Sequence, residues 1–352
     1  MTGCKISAPS ASGGGLYGRC TQVHSLVYLS GTSPKPEAVE SWAHTQPEVC
    51  PVPERLRAYR PALSGEEKGL ASKSVAAPEK MSSHESYTLL IVDRAAREQA
   101  KASEVQALGQ CAERGFSPEQ LRALHAKLSA EGSATPSRLY ELTPSCRASG
   151  ASDANVLVVK LPTDVADGAY AEMKCIKYSR YAFRYGRRVE SRSRNIAYVS
   201  SESCSEDSES NAPEVVAWRD VPHCQRVREF LNGLLCDPEA VHAVAIRYAD
   251  IRECGIRWHG DAERRKTLVT RLGPNASRHP FWLMWYHNHA PVSDPIRIDL
   301  AHGEVCIPSE KAVGTDFKRS TVPTLRHATG FLKTDGAVPK ISAKAQKRMR
   351  GE

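Results

Sequence analysis

At about 150 residues per domain, a chain of 352 residues fits two domains or one sizeable domain with non-globular flanks. Hydrophobic residues make up 41% and aromatics 7%, and no stretch approaches the roughly 18 consecutive apolar residues of a membrane-spanning helix, so no bilayer-crossing helix is expected. A formal net charge of +8 favours polyanionic partners.

Residues 1–84 read as a disordered leader rich in Ser, Gly and Pro. They contain Gly13-Gly14-Gly15 and follow neither a period of 2 nor one of 3.6, so burial would not offset their ordering entropy. Residues 1–36 carry three basic and no acidic side chains, a composition shared with transit peptides. An organelle address therefore stands beside a nuclear or cytoplasmic one. The 11 cysteines include no Cys-x-x-Cys, which argues against a disulfide framework or zinc knuckle and for reduced thiols inside a cell.

Residues 85–150 read as a helical segment or linker, in which Ser117-Pro118-Glu119 resembles an N-cap followed by Pro at N1, with Leu121, Leu124 and Leu128 on one face. Beyond Asn155 come short β-type runs at 156–161, 241–248, 256–258, 266–272, 280–287, 296–300, 305–307 and 324–327. Their spacing predicts an antiparallel sandwich or jelly roll over 151–345, followed by a basic tail at 346–352. Residues 222–235 predict an amphipathic helix able to cover a sheet, with Val227, Phe230, Leu231, Leu234 and Leu235 on one face. The fold class is thus mainly β with flanking helices (α+β), and a monomer is expected.

Charge is concentrated in one place. Residues 174–194 hold eight basic side chains against the single Glu190, a net +7. Tyr178, Tyr181, Phe183 and Tyr185 interleave with them, the combination that holds phosphates electrostatically and stacks bases on rings. An acidic patch follows at Glu202, Glu206, Asp207 and Glu209.

The chemistry centres on Trp258-His259-Gly260-Asp261-Ala262-Glu263. On an extended segment an imidazole and a carboxylate two residues apart share a face, so His259 and Asp261 can chelate one metal. His327, at the end of another β-type run, is the candidate third ligand. Two His and one carboxylate on one face of an octahedron leave open positions, the arrangement of non-haem Fe(II) oxygenases. His287-Asn288-His289 spells the motif of a nuclease family, but the Pro291 and Pro295 that follow do not suit the ββα unit such an enzyme needs.

Arg247-Tyr248, then Trp258-His259-Gly260-Asp261-x-Glu263-Arg264-Arg265-Lys266, then His302-Gly303-Glu304-Val305 and a distal His resemble the AlkB family of iron and 2-oxoglutarate dioxygenases over about residues 165–345. The resemblance implies a double-stranded β-helix whose mouth binds Fe(II), 2-oxoglutarate and O2. It implies His259, Asp261 and His327 as the catalytic metal triad and Tyr248 as a cosubstrate contact. Tyr181-Ala182-Phe183-Arg184-Tyr185-Gly186 is similar to the family's substrate-facing loop. With Arg187, and with Trp258 and Glu263 flanking the triad, it is expected to meet substrate. The implied activity is oxidative dealkylation or hydroxylation of a nucleic-acid base, as in DNA repair. A protein side-chain hydroxylase on the same iron centre and a catalytically silent nucleic-acid-binding module are the alternatives. Two departures stand out: Ile246 replaces the Asn found two residues before the tyrosine, and no arginine follows His327 until Arg348. Lys340 is the expected substitute for pairing with the distal carboxylate of 2-oxoglutarate, with Lys344 and Arg348 behind it.

Overall fold

Along Ser86–Val92 (β1) burial is nearly unbroken, and successive side chains serve two different layers, as in a strand covered on both faces. Tyr87, Leu89 and Ile91 join a helix-covered core, whereas Thr88 and Leu90 line a cavity on the other side. The structure, a computed structural model, describes residues 84–97, 106–130, 135–142, 152–184, 187–203, 213–237 and 239–330. The predicted leader and basic tail lie outside them, apart from His84. The expected helical segment over 85–150 is corrected: it opens with a strand, because a near-continuous apolar run is the pattern that periodicity cannot assign to helix or strand. The β fold therefore begins at Ser86, not at 151.

A short hairpin, β2 (Arg94–Arg97) and β3 (Gln106–Gly109), leads to helix α1 (Pro118–Ser129). Ser117 caps α1 as read: its Oγ accepts from the Gln120 amide at 3.2 Å, while Gln120 Oε1 accepts from the Ser117 amide at 2.8 Å. Next come β4 (Ser137–Glu141), β5 (Asn155–Lys160) and a helix that periodicity missed, α2 (Thr163–Cys175). The hairpin β6 (Tyr181–Arg184) and β7 (Arg187–Glu190), strands β8 (Asn195–Ser200) and β9 (Val215–Ala217), and helix α3 (Pro222–Leu235) follow. Helix α3 matches the predicted span and buries Cys224, Val227 and Leu231. Then run β10 (His242–Tyr248), β11 (Gly255–His259), β12 (Thr267–Leu272), β13 (Phe281–His287) and β14 (Ala290–Pro291). The described chain closes with β15 (Ile296–Ile298), β16 (Glu304–Pro308), the one-turn α4 (Glu310–Val313) and β17 (Thr324–Gly330). Each predicted β-type run coincides with a strand.

The strands form a large sheet in the order β4-β5-β16-β12-β1-β10-β8-β9 and a small sheet in the order β11-β17-β13-β14, with β15 also on β13. From β10 onward the chain passes back and forth between them. Helices α2 and α3 cover the outer face of the large sheet, where Met173, Val227 and Leu231 pack with Leu89, Leu157 and Leu268. On the inner face Val156, Val158 and Val269 meet Phe281, Leu283, Trp285 and Leu325 of the small sheet. The alternation is legible along β5, whose Val156 and Val158 face inward and whose Leu157 and Val159 face the helices. Each such side chain contributes about 1.5–3 kcal/mol on burial, enough to fix strand register. Toward one end the inner face turns partly polar, and Thr88, Tyr248, Thr267 and Arg271 line a cavity of about 180 Å³. Among the described residues no helix is long and apolar enough to cross a membrane.

Candidate metal centre

Antiparallel pairing of β11 with β17 sets His259 directly opposite His327, and Asp261 lies just past the end of β11. The ligand atoms of the three side chains lie within 4.8 Å of one another. Nε2 of His259 is 3.7 Å from Asp261 Oδ1, Nε2 of His327 is 3.8 Å from Oδ2, and the imidazole centroids are 4.3 Å apart. These separations are too long for hydrogen bonds but suit donors that share one ion at about 2.1 Å.

Local packing enforces this convergence. At Gly260 a Cβ would collide with the carbonyl oxygen of Gly314 and lie 2.7 Å from the Cβ of Phe317, so the His-Gly-Asp step needs glycine. The Asp261 amide donates to the Val313 carbonyl at 3.1 Å. His259 Nδ1 lies 2.7 Å from the Arg257 carbonyl, which can only accept, so Nδ1 donates and Nε2 is the ring atom turned toward Asp261. The His327 ring stacks on Phe281 at 5.6 Å, and its Nδ1 is buried without a hydrogen-bond partner.

Electrostatics favour ligation. Burial, then the neighbouring His259, pushes the His327 pKa down to about 3, so its ring is neutral near pH 7. Burial opposes the charge of Asp261, but the Arg264 guanidinium, with Nε 3.7 Å away, and both imidazoles outweigh it and hold the carboxyl below its usual range. Two imidazoles and one carboxylate thus converge, a donor set that fits a divalent transition ion. The side chain of His259 is 33% exposed and those of Asp261 and His327 are each 12% exposed, so the centre is reachable from solvent.

Of the other predicted site residues, Tyr248 is buried and lines the cavity, its ring centroid 4.2 Å from that of His279 and its face 5.6 Å from the Arg271 guanidinium. Glu263 also lines it and accepts from Arg264 Nη2 at 2.5 Å. Trp258 is absent from the cavity lining and lies beside Tyr286, 6.4 Å between centroids, because adjacent strand residues point to opposite faces. Tyr181, Phe183 and Arg184 lie on β6 and Arg187 on β7; Tyr185 and Gly186 between them, and Lys340, fall outside the described residues. Asn288 and His289, both with φ near +55° (51° and 60°), form the two-residue turn between β13 and β14, so the nuclease-like triplet is a hairpin corner. Arg326, adjacent to His327, covers the Tyr286 ring at 4.2 Å.

Sequence reading missed Arg271 and His279. Arg271 is buried on β12 and lines the same cavity as the triad. A lone charge inside Thr267–Leu272, a strand buried at every position, was the available signal.

No family profile matches the chain, and no solved structure matches it. Among curated proteins it is similar to the uncharacterized protein R156 of Acanthamoeba polyphaga mimivirus, 29% identical over 239 residues, which cover 65% of this chain and 90% of that protein.

Proposed function

We propose that the protein is an Fe(II)- and 2-oxoglutarate-dependent dioxygenase of the AlkB type that oxidises a nucleic-acid base. The observation that carries this reading is the convergence of His259, Asp261 and His327 at one cavity between two sheets. The alternation of β10 to β17 between those sheets supports a double-stranded β-helix. When bound, the ferrous ion and its cosubstrate supply the oxidising chemistry. The chain holds the ligands: His327 offers a neutral nitrogen, His259 a second imidazole, Asp261 an anionic oxygen, and the Arg264 guanidinium keeps that oxygen deprotonated. Leu90, Val244 and Ile246 make part of the cavity wall apolar and limit water.

The nucleic-acid part rests on the +7 segment 174–194 and on where its hairpin is tied. Ser179 bridges to Ile196, the Gly255 amide donates to the Ser193 carbonyl at 3.2 Å, and Arg194 and Ile196 line the cavity. A cationic, aromatic hairpin rooted at the rim can hold phosphates while one unstacked base enters. The test is succinate release by the Fe(II)-loaded chain with 2-oxoglutarate and alkylated single-stranded oligonucleotides. Turnover is expected, with Asp261→Ala and His327→Ala each lowering it more than about 100-fold. A metal-loaded chain that releases no succinate refutes the reading; release stimulated by peptides and not by oligonucleotides reassigns the substrate to protein.

A further inference from the structure

Arg271 is 1% exposed, and all its partners are neutral. Nη1 donates to Thr88 Oγ1 at 2.7 Å and to His279 Nδ1 at 3.1 Å, Nη2 donates to Thr329 Oγ1, the Tyr248 phenol is a further side-chain partner, and Nε has no partner. His279 cannot be the counter-charge: its Nδ1 accepts from the guanidinium, its Nε2–H faces the Cys254 carbonyl at 3.3 Å, and burial keeps it uncharged. Other buried cations of this fold are compensated. Arg264 has Asp261 and Glu263, and Lys266 has Asp237 and Glu239. Among the described residues Arg271 makes no ion pair. A buried cation without an anion is costly, and a protein that keeps one beside an open cavity gains from an anion that enters it.

The geometry points to Arg271 as the anchor for the remote carboxylate of a dicarboxylic 2-oxo acid whose other end lies at the triad. The identity of the acid rests on the dioxygenase reading; the anion site does not. Thr329, held by Arg271, lies two residues beyond His327 on the same face of β17, roughly 7 Å along the strand. The four carbon–carbon bonds of a five-carbon diacid, about 1.5 Å each, extend to about 5 Å. With the contacts to the ion and the guanidinium added, that bridges the two ends. Strand β1 is hydrogen-bonded to β12 along the edge that carries Arg271. Thr88 of β1, the cross-strand partner of Arg271, adds a hydroxyl to the cradle.

The experiment is calorimetric titration of the full chain, metal-free and Mn(II)-loaded, with 2-oxoglutarate, glutarate and 2-oxobutyrate, which keeps the 2-oxo acid head and lacks the remote carboxylate. The Mn(II)-loaded parent is expected to prefer 2-oxoglutarate over 2-oxobutyrate by at least about 30-fold; Arg271→Met reduces the preference to within about 3-fold with Mn(II) affinity unchanged, and Arg271→Lys keeps part of it. Should Arg271→Met fail to fold, Arg271→Lys and Thr329→Val carry the comparison. Preference undiminished from the parent's in these variants, or lost in Lys340→Met instead, overturns the assignment, as does a parent that binds none of the acids. Failure of the dioxygenase reading looks different: the parent ignores Mn(II), yet its metal-free form binds glutarate in an Arg271-dependent way.

Discussion

His279 sits fully buried beneath Arg271, and burial, followed by the repulsion of that guanidinium, lowers its pKa to about 2. Since an unfolded histidine titrates near 6.5, the unfolded chain takes up a proton that the folded chain refuses below that pH. The stability this depressed pKa contributes is complete above about pH 6.5 and is lost as pH falls toward 2; His327, at about 3, acts in the same direction. At about 1.4 kcal/mol per unit, His279 alone should cost the metal-free chain about 2 kcal/mol between pH 6.5 and 5. Urea unfolding of His279→Gln should show a flatter pH dependence, and an unchanged slope would contradict the assignment. Gly260→Ala gives a second residue-level prediction: loss of Mn(II) binding by electron paramagnetic resonance with the far-ultraviolet dichroism of the β fold retained, because the clash is confined to the His-Gly-Asp step and the Gly314 turn. His259 and Asp261 were legible because strand period alone puts them on one face. Arg271 was not, because its meaning lies in the anion it lacks.

Among the elements, β1 decides most. Leu89 and Ile91 are fully buried in the helix-covered core, so Leu89→Ala should cost about 2–5 kcal/mol in urea unfolding. A peripheral segment of the kind the sequence led us to expect over 85–150 would lose well under 1 kcal/mol, so the measurement separates the two. Ser117→Ala should cost about 1 kcal/mol, since it removes one half of a capping box. Cap chemistry and the one-sided face of α3 are local and could be read directly. The assignment of β1 is non-local: a run of apolar residues becomes a strand only because β10 and β12 supply its hydrogen bonds and helices and cavity cover its two faces.

Across the whole molecule the +8 is nearly accounted for by residues 174–194, which concentrates the electrostatic footprint in one segment of the chain. Replacing Arg184, Arg187 and Arg188 together with Gln should weaken binding to single-stranded oligonucleotides and reduce the slope of log K against log salt by about 2, at about 0.7 per phosphate contact. An unchanged slope would move the nucleic-acid contact elsewhere. By itself the sequence determined eight of the thirteen strands from β5 onward, helix α3, the N-cap of α1 and the His-x-Asp pair, because each follows from a period or spacing carried by neighbouring residues. Tertiary structure alone decided that β1 lies between β10 and β12, that His259 faces His327 across a strand pair, and that an uncompensated guanidinium shares their cavity. Those facts depend on register and on buried charge balance, which exist only once distant segments pack together.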